Sequence, residues 1–235
     1  MNGWAKPDTD AMTELGKDIE QIELSLKQWF PSQAFIKAAK IQDYPILPEE
    51  QALVAKAVSS RQHEFATGRW LSRQGLQSFG LPDEPIKMGR LRNPLWPKSV
   101  SGTISHDGKL CAVVLMQKHQ HSEAGIGIDL VSLPQRAGRM DELTPMFLAN
   151  ADELSAMAAF NLVVDPALLL FSVKESVVKA MSFKLDDFID MRAIEIHHSD
   201  KMRFSISGNA ICADITAATT GNYLVTAVRG LVEND

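Results

Sequence analysis

The sequence predicts an α+β fold of two similar α/β lobes related by a pseudo-twofold, each a helix packed on a small, mainly antiparallel sheet. Two long helical segments, each followed by β-rich runs, carry that expectation, together with an echo between the two halves. Aligning EFATGRWLSRQGL with LFSVKESVVKAMS pairs Phe65 with Phe171, Arg69 with Glu175 and Arg73 with Lys179. Each of these helices precedes a β-rich stretch containing Ile-Ser, at Ile104-Ser105 and Ile206-Ser207. The boundary is expected at residues 122/123, giving lobes 1–122 and 123–235 with functional residues at the seam between them.

The first thirty residues read as polar and weakly structured, apart from an amphipathic stretch near Ile19 to Trp29. A strand-like piece follows at Ala34 to Ile41. Pro48-Glu49-Glu50 opens a long helical region, broken at Ser59-Ser60 and ending near Phe79, where Gly80 and Pro82 supply stop signals. In SGTISHDGKLCAVVLMQK, two β-rich runs flank Asp107-Gly108, a strong hairpin signal that sets His106 at the rim of a sheet. AGIGIDLV then alternates: Ile126, Ile128 and Leu130 share one face, and Asp129 and Val131 share the other. Asp165-Pro166 marks an N-cap followed by proline at the first helical position, opening a helix with Leu169, Leu170, Val173, Val177, Ala180 and Met181 as its buried stripe. Strands are predicted at Arg192 to His197, Met202 to Ile206 and Asn222 to Val228.

Composition limits the function. With 235 residues, 45% of them hydrophobic and 23% charged, the chain is of ordinary globular make-up. Its apolar runs are too short to span a bilayer, and the start MNGWAKPDTD lacks the pattern of a secretion signal, so the default expectation is a cytoplasmic protein. A net charge of −5 argues against nucleic acid and anionic membranes as partners. Cys111 and Cys212 sit in apolar, strand-like segments and read as free buried thiols. Between Lys87 and Lys98 stand four basic residues and no acidic one, which reads either as a solvated loop or as an anion site.

Among residues able to do chemistry, Asp129 on a strand and Glu175 on a helix form a possible magnesium pair. A magnesium ion on a diphosphate needs only one or two protein carboxylates, because phosphate oxygens and water complete its octahedron. The plainer alternative for Glu175 is an exposed i,i+4 pair with Lys179, contributing about 0.3–0.5 kcal/mol. Arg61, Arg69 and Arg73 recur along one helix, as an anion clamp or a solvated face. His106 reads as a ligand or as a polar turn residue. His119 with His121, and the pair His197-His198, do not suit a metal. Phosphate loops of the GxxxxGK[ST] type, GxSxG elbows and HExxH motifs are absent, and Gly125-Ile-Gly127 lacks the third glycine of a dinucleotide fingerprint.

Taken in order, these segments resemble the Sfp-type phosphopantetheinyl transferases, the group that includes enterobactin synthetase component D. NPLWPKSVSGTISH (93–106), GIGIDL (125–130) and LFSVKESVVKA (170–180) match three family motifs in order and spacing, and RQHEFATGRWLSR (61–73) is similar to the arginine-bearing helix of component D relatives. The resemblance implies a monomer that transfers phosphopantetheine from coenzyme A to a serine of an acyl or peptidyl carrier protein, with Mg2+. It implies that Asp129 and Glu175 hold the metal, and that Glu175 also takes the serine proton. Lys179, with Lys174 beside it, would contact the diphosphate. Ser105 and His106 would bind the 3′-phosphate side, and Arg61 and Arg69 the nucleotide phosphates, helped by Lys87 or Arg90.

Two departures stand out. Many relatives carry another carboxylate two residues after the aspartate, where this chain has Val131, and the family lysine near Gly89 is replaced by Met88 with Lys87 alongside. Val131 keeps open a catalytically weak coenzyme A- or carrier-binding relative, and a magnesium-dependent diphosphate hydrolase is the other alternative. The segment LPQRAGRMDELTPMF, with Arg136, Arg139, Met140 and Phe147, reads as a carrier-docking surface or a mobile loop.

Overall fold

The computed structural model describes residues 9–118, 125–136, 138–185, 187–199 and 201–233. His119 and His121 lie outside them. The amino-terminal helix α1 (Thr9–Trp29) extends the predicted amphipathic stretch back to Thr9. The N-terminal lobe then contains β1 (Phe35–Lys40), α2 (Pro48–Val54), α3 (Ser59–Ser78), β2 (Val100–Asp107) and β3 (Leu110–Gln117). The C-terminal lobe runs β4 (Gly127–Ser132), three short helices α4 (Leu133–Arg136), α5 (Met140–Leu143) and α6 (Asp152–Ala156), then α7 (Pro166–Met181), and β5 (Ile194–His198), β6 (Met202–Ile206), β7 (Asn209–Thr220) and β8 (Tyr223–Glu233). None of the described helices is long and apolar enough to cross a membrane.

Two antiparallel sheets result, in the orders β1-β3-β2 and β4-β8-β7-β6-β5, which is the mixed architecture of two α/β lobes that the sequence predicts. Asp107-Gly108 makes the β2–β3 turn, with Gly108 at φ +61°. The helical break falls at residues 55–58, just before the predicted Ser59-Ser60, which instead open α3, and Asp165 Oδ1 caps α7 by accepting from the Ala167 N–H at 2.8 Å. Neither cysteine is in a disulfide: Cys111 is buried, and Cys212 is half-buried with its Sγ accepting from Arg203 Nη1 at 3.7 Å.

Three apolar clusters hold the fold. Helix α3 covers one face of the small sheet through Leu71, Leu76, Cys111, Val113 and Leu115. Helix α7 covers the large sheet through Leu169, Leu170, Val173, Val177 and Leu224. Between them, Ile22 and Leu26 of α1, with Phe30 just after it, pack with Leu110 and Val114 of the small sheet and with Ile128, Leu130 and Val225 of the large one. Helix α1 therefore straps the two lobes together. The short polar sequence before Ile19 gives little local signal, but this buried face stabilises a helix that isolated propensity would leave marginal.

A second device closes the seam. Strand β4 is the edge of its sheet, so the N–H groups on its outer side need partners. Alternate side chains of β2 supply them. Thr103 Oγ1 accepts from Ile128 N at 3.1 Å, Ser105 Oγ from Leu130 N at 3.0 Å, and Asp107 Oδ2 from Ser132 N at 2.8 Å. The period of two along both strands matches the two edges in register.

Candidate active site at the seam of the two lobes

The seam brings β2, β4 and α7 to one place, and glycine makes the approach close enough. A Cβ at Gly127 would lie 1.9 Å from the Ser176 carbonyl oxygen, and one at Gly125 would lie 1.9 Å from that of Ala180. Both contacts are with backbone, so no side-chain rotation relieves them. The glycines set aside as a dinucleotide motif therefore let α7 lie directly on β4.

Asp129 is 6% exposed and faces that helix. Its Oδ2 accepts from Ser172 Oγ at 2.9 Å, while Oδ1 accepts from Ser105 Oγ at 2.9 Å and from Lys179 Nζ at 2.6 Å. Ser105 Oγ also accepts from Lys179 Nζ at 2.9 Å and from Leu130 N at 3.0 Å. One donor and two acceptors are all that a hydroxyl has, so Ser105 is saturated and fixed. Lys179 thus turns to Asp129 on the neighbouring strand and, across the seam, to Ser105, not to Glu175 along its own helix.

Ser172, Glu175 and Lys179 are spaced i, i+3, i+7 and share one face of α7. Glu175 is half-buried, and burial raises the pKa of its carboxyl. Lys179 and, more weakly, Arg136 oppose that shift, and the Asp129 charge adds to it. A half-buried carboxyl whose ionisation the Asp129 charge disfavours, with one ammonium beside it, forms a site ready for further positive charge. Glu175 and Lys179 open onto a cavity of about 390 Å³ walled by Arg92, Pro94, Ile104, Leu185, Phe188 and Ile189, among others.

A second cavity, of about 490 Å³, continues from it and shares the walls Arg92, Pro94 and Ile104. It presents Arg61, Arg69 and His106. Arg69 is 3% exposed, lies with its guanidinium 4.7 Å from the Phe65 ring centre, and has a buried Nε without a hydrogen-bond partner. Burial pulls its pKa down to about 10. Glu50, the carboxylate that offsets this, is itself engaged by Arg73. Arg69 is therefore a buried cation in need of an anion. Arg61 Nη1 lies 2.7 Å from His106 Nε2 and 3.0 Å from Glu64 Oε2. Since arginine has no acceptor, Nε2 must accept, and His106 is the Nδ1–H tautomer. Its pKa is lowered, first by burial and then by Arg61 and Lys179 against the pull of Glu64.

Several sequence-predicted residues are placed elsewhere. Lys174 is corrected: it is fully buried inside the C-terminal lobe, with Nζ 2.8 Å from Glu153 Oε1 and donating to the Phe147 and Met191 carbonyls at 2.7 and 3.1 Å. Its three donors are spent, so it does not reach a diphosphate. Lys87 is exposed and outside both cavity walls, where Met88 and Arg92 stand instead. Arg90 lies outside these two walls and pairs with Asp187 at 3.3 Å. Arg73 is structural, bound to Glu50 and to the Pro45 carbonyl at 3.0 Å. Val131 packs into the core beneath α7. Met140 and Phe147, read as part of a docking surface, are 3% and 2% exposed and belong to that same core.

One site residue escaped the sequence reading: Ser172 precedes Glu175 by one helical turn, a spacing that would have flagged it. Arg92 belongs to the basic 87–98 stretch read as a solvated loop or an anion site, but nothing in the sequence marked its backbone. It ends a turn closed by Arg92 N donating to Gly89 O at 3.0 Å, and its φ is +61°. Only glycine, and less often asparagine or aspartate, adopts that conformation readily.

As a metal site the donor set is small. Among the described residues, no group of three or more His, Cys, Asp or Glu side chains could hold an ion. The two hard carboxylate oxygens of Asp129 and Glu175 nonetheless suit magnesium when a diphosphate and water supply the rest. The family described as "4'-phosphopantetheinyl transferase N-terminal domain" matches residues 49–116, and the "4'-phosphopantetheinyl transferase superfamily" matches residues 125–228. Enterobactin synthase component D of Escherichia coli K12 is 32% identical over 170 residues, which is 68% of this chain and 78% of that protein.

The chain belongs to the 4'-phosphopantetheinyl transferase superfamily.

Within the superfamily it is also similar to 4'-phosphopantetheinyl transferase Svp of Streptomyces mobaraensis, at 39% identity over 139 residues, covering 57% of this chain and 54% of that one. For 4'-phosphopantetheinyl transferase PptT of Mycobacterium tuberculosis the figures are 30% over 113 residues, 43% and 50%. The match thus spans about half the length of these two relatives. The superfamily match at 125–228 encloses Asp129, Ser172, Glu175 and Lys179, and the N-terminal match encloses Arg61, Arg69, Ser105 and His106.

Proposed function

We propose that this protein is a magnesium-dependent transferase that moves phosphopantetheine from coenzyme A to a serine of an acyl or peptidyl carrier protein. The observation that carries the reading is the paired cavities. One end offers the buried cation Arg69 with Arg61 and His106. The other ends on Glu175 and Lys179, with Asp129 behind them. A ligand with a nucleotide phosphate at one end and a diphosphate further along matches that spacing of charge.

In the reaction, the carrier serine oxygen bonds to the β-phosphorus, and the bond from that phosphorus to the bridging oxygen breaks. Adenosine 3′,5′-bisphosphate departs with the electron pair, and the serine proton passes to the Glu175 carboxylate. Burial makes that carboxylate a stronger base than an exposed one, which suits proton transfer near neutral pH. Lys179 and Arg92 would neutralise charge growing on the leaving group, the main task in phosphoryl transfer. Asp129 and Glu175 would hold magnesium, whose charge aids that neutralisation when bound. Ser105 and Ser172 keep Asp129 oriented.

The test is to incubate the protein with coenzyme A, Mg2+ and a panel of apo-carriers, and to weigh each carrier. The expected result is a mass gain equal to the phosphopantetheine arm on at least one. Consumption of coenzyme A with every carrier unchanged would identify hydrolysis instead.

Arg92 gives an independent prediction. A non-glycine residue in this backbone region costs roughly 1–3 kcal/mol and persists where function demands it. Arg92→Gly is expected to raise thermal stability while weakening coenzyme A about tenfold or more, the loss of one charge-assisted contact. Melting and binding measured on the same sample check the opposite signs. Stability and affinity falling together would contradict the assignment.

A further inference from the structure

Behind Asp129 the layer between α7 and the large sheet turns polar along one line. Thr226 of β8 is the cross-strand neighbour of Asp129, and both meet α7 at Ser172. Ser176 stands one turn further along that helix. Ser172, Ser176 and Thr226 are fully buried, in a layer otherwise built from Leu169, Val173, Val177, Leu224 and Val228. Thr226 Oγ1 lies 2.9 Å from Ser172 Oγ and 2.7 Å from Ser176 Oγ, and it donates to the Ser172 carbonyl at 2.9 Å. Ser176 Oγ is also 3.3 Å from the Thr226 carbonyl.

Counting protons gives this chain a direction. The Asp129 carboxylate, paired with Lys179, only accepts. Ser172 spends its one proton on Asp129 Oδ2, so in its contact with Thr226 it is the acceptor. The Thr226 proton is then shared between Ser172 Oγ and the Ser172 carbonyl, and Ser176 is the donor to Thr226. The chain runs from Ser176 through Thr226 and Ser172 to Asp129.

We propose that Thr226 is a positioning residue of the metal site: by donating to Ser172 it holds that hydroxyl on Asp129 and so fixes the oxygen that Asp129 offers to the divalent ion. The inference rests on the transferase reading and deepens its metal site. Oδ1 of Asp129 accepts two hydrogen bonds, from Ser105 and Lys179, whereas Oδ2 accepts one, from Ser172. Oδ2 is therefore the oxygen with an acceptor position left. A helical serine without such an anchor can turn to the carbonyl four residues back, which here belongs to Leu168. Thr226 opposes that turn and keeps Ser172 on Oδ2. Packing alone asks for no hydroxyl at this position, since valine has the same shape and a strand preference of its own.

The experiment measures Mn2+ binding to the full chain with coenzyme A present, alongside melting temperature and the Mg2+ dependence of transfer to an apo-carrier. Thr226→Val keeps the volume and removes the hydroxyl. It is expected to melt near the wild-type temperature and to bind Mn2+ about 10–100-fold more weakly, with a matching rise in the Mg2+ needed for half-maximal turnover. Coenzyme A affinity without a divalent ion should be unchanged. Thr226→Ser keeps the hydroxyl and loses the methyl, so it should melt lower yet bind Mn2+ as wild type does. A role in packing alone would make metal binding follow the melting temperature. Wild-type Mn2+ affinity in Thr226→Val, or equal losses in the valine and serine variants, would overturn the inference. If the valine variant does not fold, Thr226→Ala takes its place and is compared with Thr226→Ser in the same way. If wild type binds Mn2+ but modifies no carrier, the transferase reading has failed and the manganese comparison still decides this inference. Absence of Mn2+ binding to wild type would overturn the metal site and this inference together.

Discussion

Glu175→Gln is expected to lower turnover by at least about 10²-fold, toward the upper end of the 10²–10⁴ range for positioned base catalysis. The amide keeps the size of the side chain and removes both its basicity and its charge. Coenzyme A affinity measured without magnesium should change little, because Arg61, Arg69 and His106 are untouched. Stability gives a second readout with a defined sign. Burial raises the Glu175 pKa, so the folded protein holds this proton more tightly than the unfolded chain. Its contribution is fully present below the ordinary value of 4.5 and is lost as pH rises through the raised one. The glutamine variant should lack that loss. Single-turnover transfer and melting as a function of pH check both, and near-normal turnover would remove Glu175 from the chemistry.

Lys174→Met is expected to act almost wholly on stability. Breaking a buried ion pair from one side costs about 3–5 kcal/mol, because the abandoned charge stays buried. Here that charge is Glu153, fully buried and otherwise held by the N–H groups of Ala149 and Ile196 at 2.7 and 2.9 Å. For a chain of this size the melting temperature should fall by roughly 10 °C or more. Coenzyme A affinity, measured well below the new melting point, should stay at the wild-type value. A contact between Lys174 and the diphosphate would give the reverse pattern: weak binding with little loss of stability.

The two lysines of one motif show which parts of the site the sequence could carry. Lys174 and Lys179 are five residues apart, about 140° around a helix, and cannot serve one site from the same face. Glu175 and Lys179 differ by only about 40° and do converge. Helical spacing alone therefore separates the structural lysine from the seam lysine, although motif resemblance groups them. Local signals were legible: the Asp107-Gly108 turn, the Asp165 cap, and the alternation that sets Asp129 opposite Ile128 and Leu130. Each depends on a few neighbouring residues. The full length of α1 was not legible, because its stability comes from contacts with strands up to two hundred residues away. Nor was the positive φ of Arg92, which the 89–95 turn imposes on a residue that does not favour it. The close approach at Gly125 and Gly127 is intermediate. The glycines were visible, but the helix they admit was not.

The central claim is that a strand aspartate and a helix glutamate from the seam jointly hold one divalent ion against the diphosphate of coenzyme A. Electron paramagnetic resonance of Mn2+, used in place of magnesium, measures this directly. One tightly bound ion per chain is expected when coenzyme A is present, with binding strongly weakened by Asp129→Asn and by Glu175→Gln. Manganese bound equally well to both variants would contradict the claim.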